Sequence, residues 1–211
     1  MIFSPQLMCC YSRAFARSRV FCWLLGLAAC SPPSLEEPAL RTYVQDPAHG
    51  LTHTVQVGPA LISCTYRPAD LLIAQELAHA SHPASLDSLR HTYVGKTYFS
   101  LSLAQNGVEI ENRYLPDAQA FTQALAYLSS GIAADVFLVT PTRDSIPALA
   151  AIYPRQYGTT GRSTVLLVFD THQLDLQQGF DLAFHDQFFN LSTLRFSFAA
   201  ADLRDLPKLK L

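Results

Sequence analysis

The spacing of apolar and polar side chains changes several times along this chain, and each spacing predicts a different element. The clearest run alternates. Phe99, Leu101 and Leu103 are separated by Ser100 and Ser102; Asn106-Gly107 follows; then Val108 and Ile110 alternate with Glu109 and Glu111. A period of two belongs to a strand with one buried face, and Asn-Gly suits a two-residue turn in which both positions take positive φ. This predicts a hairpin that pairs Leu103 with Ile110 and Phe99 with Tyr114, leaving Ser100, Ser102, Glu109 and Glu111 pointing away from the apolar face. Phe180, Leu182 and Phe184, then Leu194, Phe196 and Phe198, alternate in the same way. They predict two antiparallel strands joined across Phe188-Phe189-Asn190. Residues 52–57 and 60–66 read as shorter strands, and residues 148–153 as another. Residues 134–140 and 164–169 are continuously apolar, as expected of strands covered on both faces.

Helical spacing is rarer. Pro68 opens a segment in which Ile73, Leu77 and Ala80 share one stripe, with Glu76 and His79 off it. Proline fits a first helical position and Asp70 suits the positive end of the helix dipole. A shorter helix is expected around Leu86 and Leu89. After Pro116, Asp117 can cap a helix whose stripe is Phe121, Leu125 and Leu128, stopped by Ser129-Ser130-Gly131. Residues 41–50 read as loop. The tail, Leu206 to Leu211 with Pro207 and two lysines, reads as an edge strand, because lysine and proline discourage further pairing. Together these elements predict an α+β domain: an antiparallel-dominated, sandwich-like sheet with two main helices packed on it. With 49% apolar and 15% charged residues the chain is globular.

The beginning of the chain has a different pattern. Arg13, Arg17 and Arg19 precede a short apolar run, Val20 to Ala29, and no acidic residue occurs before Cys30. The run has the length of a signal peptide core, roughly 7–15 residues, and falls short of the ~20 needed to span a bilayer. Leu27-Ala28-Ala29-Cys30 resembles the lipobox of bacterial lipoproteins: an aliphatic residue, two small ones and a cysteine. The resemblance covers only the first thirty or so residues. It implies that residues 1–29 are a signal peptide removed before Cys30, and that Cys30 receives a diacylglycerol on its sulfur and acylation on its new amino terminus. Two or more acyl chains hold a protein stably at a bilayer, at ~0.8 kcal/mol per buried methylene. The implied partner is thus the membrane, reached through lipid on Cys30. Ser31 stands where an aspartate would retain such a protein in the inner membrane, which points to the outer membrane, with the leaflet that faces the domain left open. The segment from Ser31 to Pro38, rich in proline and glutamate, reads as an extended tether. The expected division is leader 1–29, lipidated cysteine and tether 30–40, and one folded domain 41–211.

This reading disposes of most cysteines. Cys9, Cys10 and Cys22 leave with the leader, Cys30 carries lipid, and only Cys64 remains, in a strand-like apolar run where an inert buried thiol is expected. The whole chain has a formal net charge of −2, and losing a leader with three arginines and no acid makes the remainder more acidic. No basic run is present, so nucleic acid is not an expected partner. Neither G-x-S-x-G, H-E-x-x-H, C-x-x-C nor G-x-G-x-x-G occurs. Residues 158–163 resemble a phosphate loop only superficially: Arg162 stands in place of the lysine and an apolar strand follows instead of a helix.

The remaining candidates are few. His185 and Asp186 are catalytic candidates at a strand end. Asp181 shares the His185 face but lies two pleats away, ~13 Å, so a catalytic pairing needs a partner from elsewhere. Glu76 and His79, neighbours on one helix with His82 further on, are the metal candidates. His49 and His53 read as surface residues. Arg143, Tyr153, Arg155, Tyr157 and Arg162 lie in the long Pro- and Gly-containing stretch 141–161 and its edge, and such side chains favour interfaces. The expectation is a non-enzymatic binding or assembly module with no cofactor, contacting an envelope protein partner or a ligand. A hydrolase built around His185 and a metal-binding protein are the rivals.

Overall fold

The computed structural model describes residues 33–79, 85–172, 175 and 178–210. The leader, Cys30, Ser31, Ala80, His82 and Pro83 lie outside the described residues. Those described fall in one compact unit, Pro32–Leu211.

Two antiparallel sheets face each other. The larger, six-stranded sheet contains β2 (Thr52–Val57), β3 (Ala60–Arg67), β4 (Lys96–Gln105), β9 (Ser163–Asp170) and β8 (Ala150–Ile152) in that order, with the short β5 (Val108–Glu109) also paired to β4. The smaller, four-stranded sheet runs β11 (Thr193–Phe198), β10 (Phe180–His185), β6 (Val136–Val139) and β7 (Ser145–Pro147). β7 and β8 are nearly one strand that changes sheets. Ala148 donates to the Val136 carbonyl on one side, and Leu149 donates to the Val168 carbonyl on the other. A third, two-stranded parallel pair joins β1 (Ser34–Leu35) to β12 (Lys208–Leu209).

The core lies between the two sheets, and alternation explains why. Ile62, Cys64, Phe99, Leu101, Val165 and Leu167 point inward from one sheet, and Leu138, Leu182, Phe184, Leu194 and Phe196 from the other. Phe99 packs edge-on against Phe169 and Phe180 and also meets Phe198, so it touches both layers. The helix α4 (Ala118–Ser129) adds Ala124 and Leu128 to the same core. Asp117 caps it as expected, its carboxylate accepting from the amides of Gln119 and Ala120. The α+β class, the antiparallel sheets and the sandwich arrangement therefore hold.

Several local readings are corrected. Residues 34–45 are neither extended tether nor loop. β1 pairs from Ser34, and the helix α1 (Glu37–Gln45) buries Leu40 and Val44 against Leu71 and Leu209. Pro38 sits in the first turn of α1, where its missing N–H costs nothing, so the proline that suggested a tether instead starts a helix. The helix α2 (Ala69–His79) buries Leu71, Leu72 and Ile73; of the predicted stripe Ile73 is buried and Leu77 only half-buried, and Ala80 lies outside the described residues. Its first turn is wedged between two clusters, Leu71 against α1 and Leu72 against Tyr98 and Val168 on the outside of the larger sheet. The helix α3 (Leu86–Tyr93), capped by Ser85, lies where it was expected. A last short helix, α5 (Ala200–Arg204), was not anticipated.

The Asn106-Gly107 turn forms with φ of 52° and 76°, and the register begins as predicted, with Gln105 opposite Val108 and Ala104 opposite Glu109. The ladder then stops. Ile110–Tyr114 coils into a 3-10 turn, so Phe99 pairs with Leu167 and Tyr66 instead of Tyr114.

Candidate ligand-binding site

The strands that bury phenylalanine and leucine inward carry serine and threonine outward. On the outer face of the larger sheet, Thr54, Ser63, Ser102 and Thr164 form one row across β2, β3, β4 and β9. Thr52, Thr65 and Ser100 form the adjacent row. Cross-strand hydroxyls bond each other: Ser102 to Thr164 at 2.9 Å and Thr52 to Thr65 at 2.9 Å, with Thr52 also donating to the Val44 carbonyl at 2.8 Å. A hydroxyl has one donor and two acceptor sites, so each pair keeps capacity for a further partner. Among the described residues the Ser63 and Ser100 hydroxyls have no side-chain partner.

This floor is walled into a basin of about 640 Å³, in the range of ~300–1,000 Å³ typical of small-molecule sites. One wall is α1 with the start of α2, which contribute Arg41, Gln45 and Leu71; the opposite wall is the stretch after β8, which contributes Gln156, Thr160 and Arg162. Arg67, at the end of β3, completes it. Among the described residues no aspartate or glutamate lines the basin, although the chain as a whole is acidic. Arg41 pairs with Glu37 behind it. Arg67 donates from one terminal nitrogen to the Gln75 amide oxygen, at 3.1 Å, while its Nε is buried without an acceptor. Its acidity reflects this setting: burial, then the neighbouring Arg41 charge, push the guanidinium pKa down.

The second wall is held by two carboxylates that the alternation pattern assigned to solvent. Glu109 and Glu111 are only 2% and 0% exposed. Glu111 accepts from the Tyr153 hydroxyl with one oxygen and from the Ser163 hydroxyl with the other. Glu109 accepts from the Gly158 amide at 2.7 Å, and Ser163 Oγ in turn accepts from the Ile110 amide. Tyr153, Gly158 and Ser163 mark the start, middle and end of one loop, so it is pinned at three points. Gly161 has φ of 67°, and a Cβ there would lie 2.7 Å from the Gly107 carbonyl oxygen, which brings the loop against the β4–β5 turn. Burial, followed by the Glu111 contact, raises the Tyr153 pKa. The expectation that Glu109 and Glu111 face solvent fails for two reasons: Glu109 keeps its place opposite Ala104 but the loop folds over it, and Glu111 lies in the 3-10 turn and is held beneath the same loop.

The five interface candidates divide. Arg162 lines the basin, and Tyr153 latches its wall. Arg155 lies over the rings of Phe121 and Tyr157, and Tyr157 is 75% exposed. Arg143 is elsewhere, in a hollow of about 550 Å³ on the outer face of the smaller sheet with Phe137, Ser145, His185 and Arg195. There the His185 ring meets Phe137 edge-on and approaches Thr193 at 3.4 Å. Among the described residues no serine or carboxylate is hydrogen-bonded to it. Asp186 turns away to accept from the amides of Phe188, Phe189 and Leu191, which makes it the organiser of the β10–β11 loop. Asp181 pairs with Arg195 at 3.6 Å.

Glu76 accepts from the Tyr93 hydroxyl at 2.9 Å, and the His79 ring bonds the Gln75 carbonyl at 2.7 Å. No group of three His, Cys, Asp or Glu side chains is placed to hold a metal ion among the described residues. Cys64 is fully buried on the core face, and burial raises its thiol pKa. His49 stacks on Tyr43 at the surface, but His53 points inward against Phe198, since it shares the inner parity of β2 with Val55 and Val57. Sequence reading missed Arg41, Arg67 and the hydroxyl floor. Its only trace was the outward serines of β4; the floor exists because three other strands align their hydroxyls with them.

No family model matches the chain, and no curated protein matches it. A solved structure, that of a protein of unknown function from Burkholderia pseudomallei, is similar at 15% identity over 82% of this chain and 93% of that one, with a TM-score of 0.37. At that score the likeness carries no argument about fold or function.

Proposed function

We propose that this chain is a bacterial envelope lipoprotein, held at the outer membrane by acyl chains on Cys30, whose folded domain binds a small polar ligand and catalyses no reaction. The observation that carries the binding role is the basin on the outer face of the larger sheet: a prearranged hydroxyl floor between a helical wall and a loop latched by two buried carboxylates. Rigid scaffolds with converging polar groups are what ligand sites require. The positive n-region, short apolar run and Leu27-Ala28-Ala29-Cys30 support the anchor. No helix among the described residues is long and apolar enough to cross a membrane. The hollow at His185 gives a hydrolase less support, because among the described residues no serine or acid is hydrogen-bonded to its histidine.

Two measurements test the reading separately. Mass spectrometry of the processed protein should show a diacylated or triacylated cysteine at residue 30, and Cys30→Ala should leave the membrane fraction; a mutant still membrane-bound after a salt wash would remove the anchor. Ligand-detected NMR with a library of water-soluble small molecules should give hits that vanish in Ser102→Val, which replaces the hydroxyl at the centre of the floor with an apolar isopropyl group. If no hit depends on Ser102, the basin is not the site.

A further inference from the structure

The composition of the basin narrows what it takes. Its cations and its hydroxyls are segregated: guanidinium groups lie at the rim, on α1, at the end of β3 and on the latched loop, while the floor is serine and threonine. Arginine is the side chain suited to bidentate recognition of phosphate or carboxylate. Hydroxyl rows with spare donors and acceptors suit a partner that is itself hydroxylated. A neutral polyol would leave the rim cations uncompensated, and an inorganic anion would leave the floor unused. Arg67 makes the first point sharply. Half-buried cations ordinarily find a carboxylate, yet the ion pairs among the described residues do not include Arg67, and its Nε proton has no acceptor. A buried charge without a counter-ion is costly, and a bound anion removes that cost. Among the described residues no aromatic ring lines the basin, so its floor and rim hold a ligand by hydrogen bonds and charge.

We infer that the basin binds an anionic sugar, a monosaccharide- or disaccharide-sized molecule carrying phosphate or carboxylate, with the acid group on Arg67, the sugar hydroxyls on the Ser63, Ser100 and Ser102 rows, and Arg162 closing the far end. This rests on the reading of the basin as the binding site and adds the ligand class. The latched loop places Arg162 opposite Arg67, so the distance between acid group and floor selects where on the sugar the charge sits.

Isothermal titration of the detergent-purified full-length chain with glucose 6-phosphate, glucuronate, glucose and inorganic phosphate tests it. The expected result is binding of a charged sugar that weakens about tenfold or more in Arg67→Gln and in Arg162→Gln, since losing a hydrogen bond to a charged group costs at least that factor. That binding also weakens as salt is raised, while glucose and phosphate alone bind about tenfold less well. Arg162 is exposed, so its variant folds even if Arg67→Gln does not. Glucose or free phosphate binding as tightly as the charged sugars, or charged-sugar affinity unchanged in both variants, overturns the ligand class. Binding of glucose that is lost in Ser102→Val would do so while leaving the basin as the site. Silence from all four probes also overturns it, and the basin then stands or falls on the NMR screen alone.

Discussion

The two sheets share a core but present different outer faces. The larger sheet turns serine, threonine and arginine outward and then covers them, with α1 and α2 on one side and the latched loop on the other. The smaller sheet turns Phe137, His185 and Arg195 outward around a hollow of about 550 Å³, with Asp181 paired to Arg195. Both faces have alternating strands, so alternation alone does not make a site. What separates them is what the connecting segments do. On the larger sheet they fold back and hold polar groups at fixed distances; on the smaller one, Asp186 ties its loop to itself and away from the face. A binding site here is a property of the loops and helices that wall a face as much as of the face.

The contrast can be broken or sharpened by substitution. The largest effect should come from Phe99→Ala, because Phe99 lies between the sheets and packs on both. It should destabilise by about 3–5 kcal/mol in urea unfolding, whereas Ser100→Ala on the opposite face should stay within about 0.5 kcal/mol. Equal losses would mean the two faces of β4 are not energetically distinct. Next is Glu111→Ala. It strands the Tyr153 and Ser163 hydroxyls under the loop, at about 1–3 kcal/mol for each buried group left unpaired. Amides of residues 154–162 should then exchange faster. On the other face, Asp181→Ala loses only an exposed pair with Arg195 and should cost less than about 1 kcal/mol. If both variants unfold alike, the latch contributes nothing.

The smallest effect is alkaline. Tyr66, raised to about 12, and Tyr153 and Tyr127, both also raised, have folded pKa values above the usual tyrosine value near 10. Burial favours the neutral phenol in all three. Below pH 10 both states hold the proton and stability does not change. Above it the unfolded chain releases protons first, so stability falls as pH rises towards the folded values. Unfolding between pH 9 and 11.5 should show this decline, and Tyr153→Phe should make it shallower. An unchanged slope in Tyr153→Phe would place that phenol in solvent, outside the latch.

Much of the scaffold was legible. The period-two runs around Phe99, Phe180 and Phe196 marked their strands, and the Asp117 cap and the Asn106-Gly107 turn formed as read, because each depends on a few neighbouring residues. The failures share one cause. Glu109 and Glu111 look like solvent-facing residues by parity, yet both are buried, because the strand ends at Glu109 and a distant loop folds over the two carboxylates. Pro38 and Glu37 look like a tether until Leu40 and Val44 find Leu71 and Leu209. Arg67 and Arg162 are ordinary arginines in sequence, 95 positions apart by their numbers, and meet only across the basin.

By itself, then, the sequence determined which side chains of the period-two strands around Phe99, Phe180 and Phe196 face the core, where the Asn106-Gly107 turn and the Asp117 cap fall, and the lipobox-like leader that suggests an address. Those are short-range properties, written in spacings of two to four residues. Tertiary structure alone decided that the hydroxyls of four strands lie in register, that two acids latch a loop beside them, and that three arginines rim the result. Such contacts depend on strand pairing and helix docking between distant segments, and no local pattern encodes that geometry.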